Sequence, residues 1–174
     1  MGGKGRIRAD VGCQGSGVGD RESVVGDQGS GFRGGREMGA KSAKELRVYQ
    51  KAYELAMEIF RVSKGWPVEE KYSLVDQIRR SSRSVCANLR EAWSKRRYEA
   101  HFISKLTDAD GETAETDTWL DFAKDCGYLS VEDHKRLTAD CEHVGAMLGS
   151  MLNNPEPFVL KGLAKALSVQ TPDS

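Results

Sequence analysis

This chain has few histidines and cysteines, no excess charge of either sign and no long apolar run, and each shortage argues against a class of function. Ferritin-like metal sites need a Glu-x-x-His on each of two helices. The three histidines offer one weak analogue, Asp140-x-x-His143; His101 and His134 have no acid three residues before them. The four cysteines, Cys13, Cys86, Cys126 and Cys141, lack the tight spacing of a zinc site or redox pair. Cys86 and Cys141 fall at or beside apolar seams and Cys126 falls at a helix end without an obvious base, so none is activated as a nucleophile. No stretch approaches the roughly 18 to 20 apolar residues of a membrane span, and the amino terminus lacks the apolar core of a signal peptide. Charge balances at 26 basic against 26 acidic side chains, which removes any global polyelectrolyte signal for nucleic acid. The expectation is a cytoplasmic, non-enzymatic protein with no metal, no cofactor and no catalytic residue.

What is present is organised unevenly. Residues 1–39 hold 13 of the 19 glycines and almost no apolar periodicity. Such a segment buries too little surface to offset its ordering entropy and reads as a disordered leader. Met38 stands just before the first structured segment, so a start-site misassignment is an equal reading of the same feature. From residue 42 the pattern turns helical. Ser42 and Glu45 have capping-box spacing, and two apolar lines follow at helical steps: Leu46, Tyr49, Tyr53, Met57 and Phe60, and Val48, Ala52, Leu55, Ile59 and Val62. A helix with two apolar faces is central in a bundle or covered by a second subunit. Gly65-Trp66-Pro67 breaks it, with Pro67 suited to the first turn of a second helix. That helix is built on Leu74, Ile78, Val85, Leu89 and Trp93, and a third on Phe102, Leu106, Ala109, Thr113 and Leu120. Gly127 suits a left-handed cap. Ser130 and Asp133 open a fourth helix, in which Leu137, Cys141, Val144, Leu148 and Met151 step by coiled-coil spacing. The predicted fold is all-α, an antiparallel up-down four-helix bundle over residues 42–153. A tail over 154–174 carries a short helix around Leu160, Leu163, Ala164 and Leu167.

The segments ELRVYQKAYELAMEIF, WPVEEKYSLVDQIRRSSRSVCANLREA and DCGYL resemble the bacterial four helix bundle protein family, also called the 23S ribosomal RNA intervening-sequence protein family. The most specific stretch is Leu74 to Glu91, whose usual form is L-x-x-Q-I-R-R-A-x-x-S-I-x-x-N-I-A-E-G; Gln77, Ile78, Arg79, Arg80, Ser84, Asn88 and Glu91 stand in place. Gly111, Glu115, Asp117, Leu120 and Gly127-Tyr128-Leu129 also fit. Arg90 replaces a small residue, Ala92 the closing glycine and Thr116 an expected leucine. The resemblance implies a non-enzymatic bundle that assembles into rings, pentamers in particular. Some members are encoded inside ribosomal RNA intervening sequences. A related branch comprises accessory proteins of diversity-generating retroelements, which bind a reverse transcriptase and nucleic acid.

The zero net charge hides a segregation. Between residues 79 and 97 stand Arg79, Arg80, Arg83, Arg90, Lys95, Arg96 and Arg97 against Glu91 alone. At about 100° per residue, Arg79, Arg83, Arg90 and Arg97 fall within roughly 40° of one another. They form a stripe able to track phosphates, since guanidinium suits bidentate contact with phosphate oxygens. The third helix is acidic, and Asp110, Asp117 and Asp121 form a stripe of their own. If the two helices turn near residue 96, Arg83 lies level with Asp110 and Arg79 level with Asp117, and the stripes would neutralise each other as flanking ion pairs. Lys95, Arg96 and Arg97 lie beyond most of the acids and are the freer phosphate contacts. Asn88-x-x-Glu91 reads as a register or loop hydrogen bond, since Glu91 as a base would need a nucleophile or metal beside it. Trp66, Trp93, Trp119, Tyr49 and Tyr53 have faces that stack on bases, but helical spacing makes most of them core or interface first. Trp119, about 100° off its helix's seam, is the best candidate for a subunit contact. Two functions are therefore expected: an oligomeric module associated with RNA or DNA, or a scaffold binding a protein partner such as a reverse transcriptase.

Overall fold

The computed structural model describes residues 40–160. The glycine-rich leader and the short helix expected around Leu163 lie outside the described residues. Four helices follow one another: α1 (Arg47–Val62), α2 (Leu74–Lys95), α3 (Glu99–Asp125) and α4 (Val131–Asn153). The α2–α3 and α3–α4 connections are too short for anything but antiparallel neighbours. α1 packs on α2 and α4, and α3 packs on α2 and α4, so the helices form an up-and-down four-helix bundle around one core. No strand occurs among the described residues, and no helix among them is long and apolar enough to cross a membrane.

One stripe of each helix is buried: Val48, Ala52, Leu55 and Ile59 on α1; Ile78, Val85 and Leu89 on α2; Phe102, Leu106 and Leu120 on α3; and the whole Leu137-to-Met151 seam of α4. The two apolar lines of α1 separate here. Apart from Leu46, which precedes the helix and is buried, the line that begins with it stays at the surface: Tyr49, Met57 and Phe60 are half-buried and Tyr53 is 53% exposed.

Two start signals act differently from their sequence expectation. Ser42 accepts from the Lys44 N–H (3.1 Å) and caps only a 3₁₀ turn, Ala43–Glu45, while Glu45 accepts from the Lys41 N–H (2.9 Å). Leu46 then stays extended and α1 begins at Arg47 without a side-chain cap. Burying Leu46 is worth about 1.5–3 kcal/mol against about 1 kcal/mol for a cap, so burial wins. Pro67 likewise opens a 3₁₀ turn, Val68–Tyr72, and not α2. The Glu70 carboxylate takes over that helix start: it accepts from the Ser73 hydroxyl, the Leu74 N–H (3.4 Å) and the Tyr128 hydroxyl (3.3 Å). The expected ends of α3 and start of α4 are present. Gly127 sits at φ 75°, with the Tyr128 N–H on the Ala123 carbonyl and the Gly127 N–H on the Lys124 carbonyl, both 2.9 Å, which is a Schellman termination. Ser130 then accepts from the Asp133 N–H at 3.0 Å.

The core contains one polar contact between α2 and α3. Thr116 Oγ1 lies 2.9 Å from Ser81 Oγ and 2.7 Å from the Glu112 carbonyl, with both side chains fully buried. Thr116 stands where the pattern has leucine and Ser81 where it has alanine, so these two departures meet each other in space.

Candidate nucleic-acid interface

Ile78 is fully buried, and its chain neighbours Gln77 and Arg79 therefore project about 100° to either side of the core direction. α3 lies on the Gln77 flank, where Arg80 reaches Gln77 Oε1 (2.9 Å) and Glu115 Oε1 (3.5 Å), Lys105 reaches Glu91 (3.1 Å), and Ser81 meets Thr116. α1 lies on the Arg79 flank. Arg79 Nε donates to Ser63 Oγ (2.8 Å), and the guanidinium carbons of Arg79 and Arg83 lie 5.0 and 5.8 Å from the centre of the Phe60 ring, with Lys64 Nζ at 4.7 Å.

The neutralising pairs Arg79–Asp117 and Arg83–Asp110 are therefore not formed. Arg79, Arg83 and Arg90 of the arginine stripe face α1, whereas α2 ends at Lys95 and leaves Arg97, expected on the same stripe, in the turn to α3; the aspartate stripe faces α4. Asp110 lies against Gly145, Asp121 bonds His134 Nε2 at 2.8 Å, and Asp117 raises the Cys141 thiol through its negative charge, behind burial as the main cause. Asp117 Oδ1 is buried without a hydrogen-bond partner. Antiparallel register was read from the sequence, but which flank of α2 meets which neighbour depends on the bundle's handedness.

The remaining cations divide into engaged and free. Lys95 pairs with Glu91 at 3.5 Å, and Arg96 turns back on its own helix end, donating to the Trp93 carbonyl (2.6 Å) and stacking on that indole (4.1 Å). The Arg96 carbonyl accepts from the Leu160 N–H (3.0 Å), and Phe158 stacks on Phe102, so the chain after α4 returns to the α2–α3 turn. Arg96 is thus a cap, contrary to its reading as a free contact. Arg79, Arg83, Arg90 and Arg97 make no ion pair among the described residues, and all but Arg79 are exposed. Burial, and then the neighbouring charge of Arg83, lower the pKa of Arg79; a guanidinium stays charged nonetheless.

On the outer side of α2, Arg79 and Arg83 border an open groove of about 540 Å³ that is also lined by Lys71, Tyr72, Asp76 and Arg80 among others. The Asn88-x-x-Glu91 motif lies on the opposite, α3-facing flank. Glu91 is held below the usual carboxyl range, first by the hydrogen bond from Lys105. Asn88 lines a shallow surface recess with Lys105, Asp108, Glu112 and Glu115. Burial, and then Glu115, push the Glu112 carboxyl up. Trp119 is half-buried, its Nε1 donating to Glu115 Oε1 (3.1 Å) and its ring 5.7 Å from that of Phe122. Among the described residues no three metal-ligating side chains converge. Sequence reasoning had no means of finding Phe60 as the platform for two arginines: it precedes them by some twenty positions, and only tertiary packing brings them together.

Comparison with known proteins supplies a family. The model of the 23S rRNA-intervening sequence protein family matches residues 44–150, more than half of the chain. A crystal structure of a protein of unknown function from the S23 ribosomal protein family of Bacteroides thetaiotaomicron superposes with a TM-score of 0.56 at 31% identity, over 62% of this chain and 96% of that one. No curated protein matches.

Proposed function

We propose a function from one premise: this chain belongs to the 23S rRNA-intervening sequence protein family. It is a non-catalytic, RNA-associated bundle that contacts phosphates through the basic flank of α2. The observation that carries this reading is the set Arg79, Arg83 and Arg90, held on the α1 side away from the acids of α3, together with Arg97 in the α2–α3 turn, all four without ion pairs among the described residues. An exposed arginine paired to a carboxylate must lose that partner to bind phosphate, and these four do not. Arg80, Lys95 and Arg96 contribute less, because Glu115, Glu91 and the Trp93 carbonyl already engage them.

The test is a titration of labelled RNA at several salt concentrations. Four phosphate contacts at about 0.7 each give a log–log salt slope near −2.8 on a single strand, so affinity falls about 50-fold between 50 and 200 mM salt. Absence of binding at about 50 mM salt refutes the reading. Arg83→Ala and Arg90→Ala should each make the slope shallower by about 0.7.

A second reading, a homo-oligomer or scaffold for a protein partner, is favoured by Phe122, which stays 52% exposed beside Trp119. Self-association predicts a mass above the monomer in light scattering at micromolar concentration. In a pull-down with nuclease, partners lost on digestion favour RNA, and partners retained favour the scaffold. Under either reading the protein works in the cytoplasm.

A further inference from the structure

The basic flank of α2 does not stand alone; it forms one surface with the uncovered aromatic line of α1. Phe60 supports Arg79 and Arg83 on its ring, which holds the two guanidinium groups at the seam between the helices. Arg79 uses one of its five donors on Ser63. Further along α1, Tyr53 stacks on Tyr49 with ring centres 6.4 Å apart and planes 15° from parallel, and is still 53% exposed. Arg90 lies close enough to Tyr49 to lower its phenol pKa, against the larger upward effect of burial. Beyond the arginines, Tyr72 stands 83% exposed at the mouth of the groove on α2. One carboxylate, Asp76, lines that groove; Glu54 and Glu58 of α1 project toward the α4 side, where Glu58 meets Arg136.

From this juxtaposition we infer that the α1–α2 seam binds single-stranded RNA in preference to duplex, with bases stacked on Tyr53 and Tyr72 and phosphates held by Arg79, Arg83 and Arg90. This rests on the RNA reading above and adds the strandedness and the stacking residues. The physical ground is the pairing of two groups that duplex cannot use together. Duplex presents phosphates but keeps its bases inside the stack, so exposed tyrosines gain nothing from it. An unpaired strand presents phosphates and ring faces alternately. A seam built only for phosphate would have no use for exposed aromatics beside its arginines. The 22 residues of α2 run about 33 Å at 1.5 Å per residue, room for several extended nucleotides.

The experiment uses the full chain and two labelled probes, a twelve-nucleotide oligouridylate and a twelve-base-pair RNA duplex, by fluorescence anisotropy at about 50 mM salt. The expected result is single-strand binding at least about ten-fold tighter than duplex. Tyr53→Ala and Tyr72→Ala should each weaken oligouridylate about ten-fold or more, leaving its salt slope and duplex binding unchanged. Tyr53→Phe and Tyr72→Phe, which keep the ring, should bind as the wild type. Equal affinity for both probes, with tyrosine variants silent and arginine variants weakened, overturns this inference and leaves the RNA reading standing. Binding of neither probe removes both. A Tyr53→Ala variant that loses mass in light scattering without losing RNA shows the seam to be a contact between copies, and overturns the inference as well.

Discussion

Replacing either member of the buried Ser81–Thr116 pair should cost about as much as replacing both. Thr116→Val keeps the side chain's shape and removes a hydroxyl that lies 2.9 Å from Ser81 Oγ and 2.7 Å from the Glu112 carbonyl. Ser81 keeps a second acceptor, the Ile78 carbonyl at 3.3 Å, so the variant leaves no buried donor wholly without a partner. The loss is then that of one or two net hydrogen bonds, about 1–2 kcal/mol. Ser81→Ala removes the same contact from the other side and leaves Thr116 its bond to Glu112, for about 1 kcal/mol. In the double variant both faces of the α2–α3 contact are apolar, and the shared bond is lost once and not twice. The coupling energy should therefore be about 0.5–1.5 kcal/mol. Restoring the family pattern at both positions, Ser81→Ala with Thr116→Leu, should be better tolerated than Thr116→Leu alone. The lone leucine forces a larger side chain against a buried hydroxyl, at about 1–3 kcal/mol. Urea unfolding followed by far-ultraviolet circular dichroism measures the five variants and the parent. Additivity of Ser81→Ala and Thr116→Val within about 0.3 kcal/mol would refute the idea that these two departures compensate one another.

Other expectations follow from individual sites. Gly127→Ala should destabilise the protein by about 1–2 kcal/mol in the same assay: a Cβ there meets nothing within 4 Å, so the cost comes from the φ of 75° alone. Glu70 is held below the ordinary carboxyl range, first by the Ser73 hydroxyl. Its contribution is thus present above the unfolded pKa and lost as pH falls through the lowered folded value. Glu70→Gln should be less stable than the parent at neutral pH and converge with it in acid, and equal stability at both would count against the capping role. Burial pushes the Cys86 thiol up to about 11 and the Cys141 thiol to about 12, whereas Cys126 is exposed. Peptide mapping after iodoacetamide at pH 8 should find Cys126 modified in the native protein and the other two only after unfolding.

The helices were legible because their signals are local. The Leu137-to-Met151 seam, Gly127 and Ser130 each act within a turn or two of chain, and each appears in the structure as the pattern implied. Ser42 and Pro67 carry equally good local signals, yet both serve 3₁₀ turns. At those points distant residues compete: Leu46 is drawn into the core, and Tyr128 holds Glu70, which caps α2. The two apolar lines of α1 look alike in sequence, and nothing in their spacing says which one the core takes.

Helical periodicity and short connections constrain residues near one another in the chain, and from them alone follow the four helices and the concentration of charge on two of them. Which flank of α2 faces α1 and which faces α3 was decided only in the tertiary structure. Both hands of an antiparallel bundle satisfy the same periodicity, and reflecting one into the other exchanges the neighbours of Gln77 and Arg79. In the hand adopted, Arg79 and Arg83 meet Phe60 and not Asp117, so two stripes that could have neutralised each other stay apart.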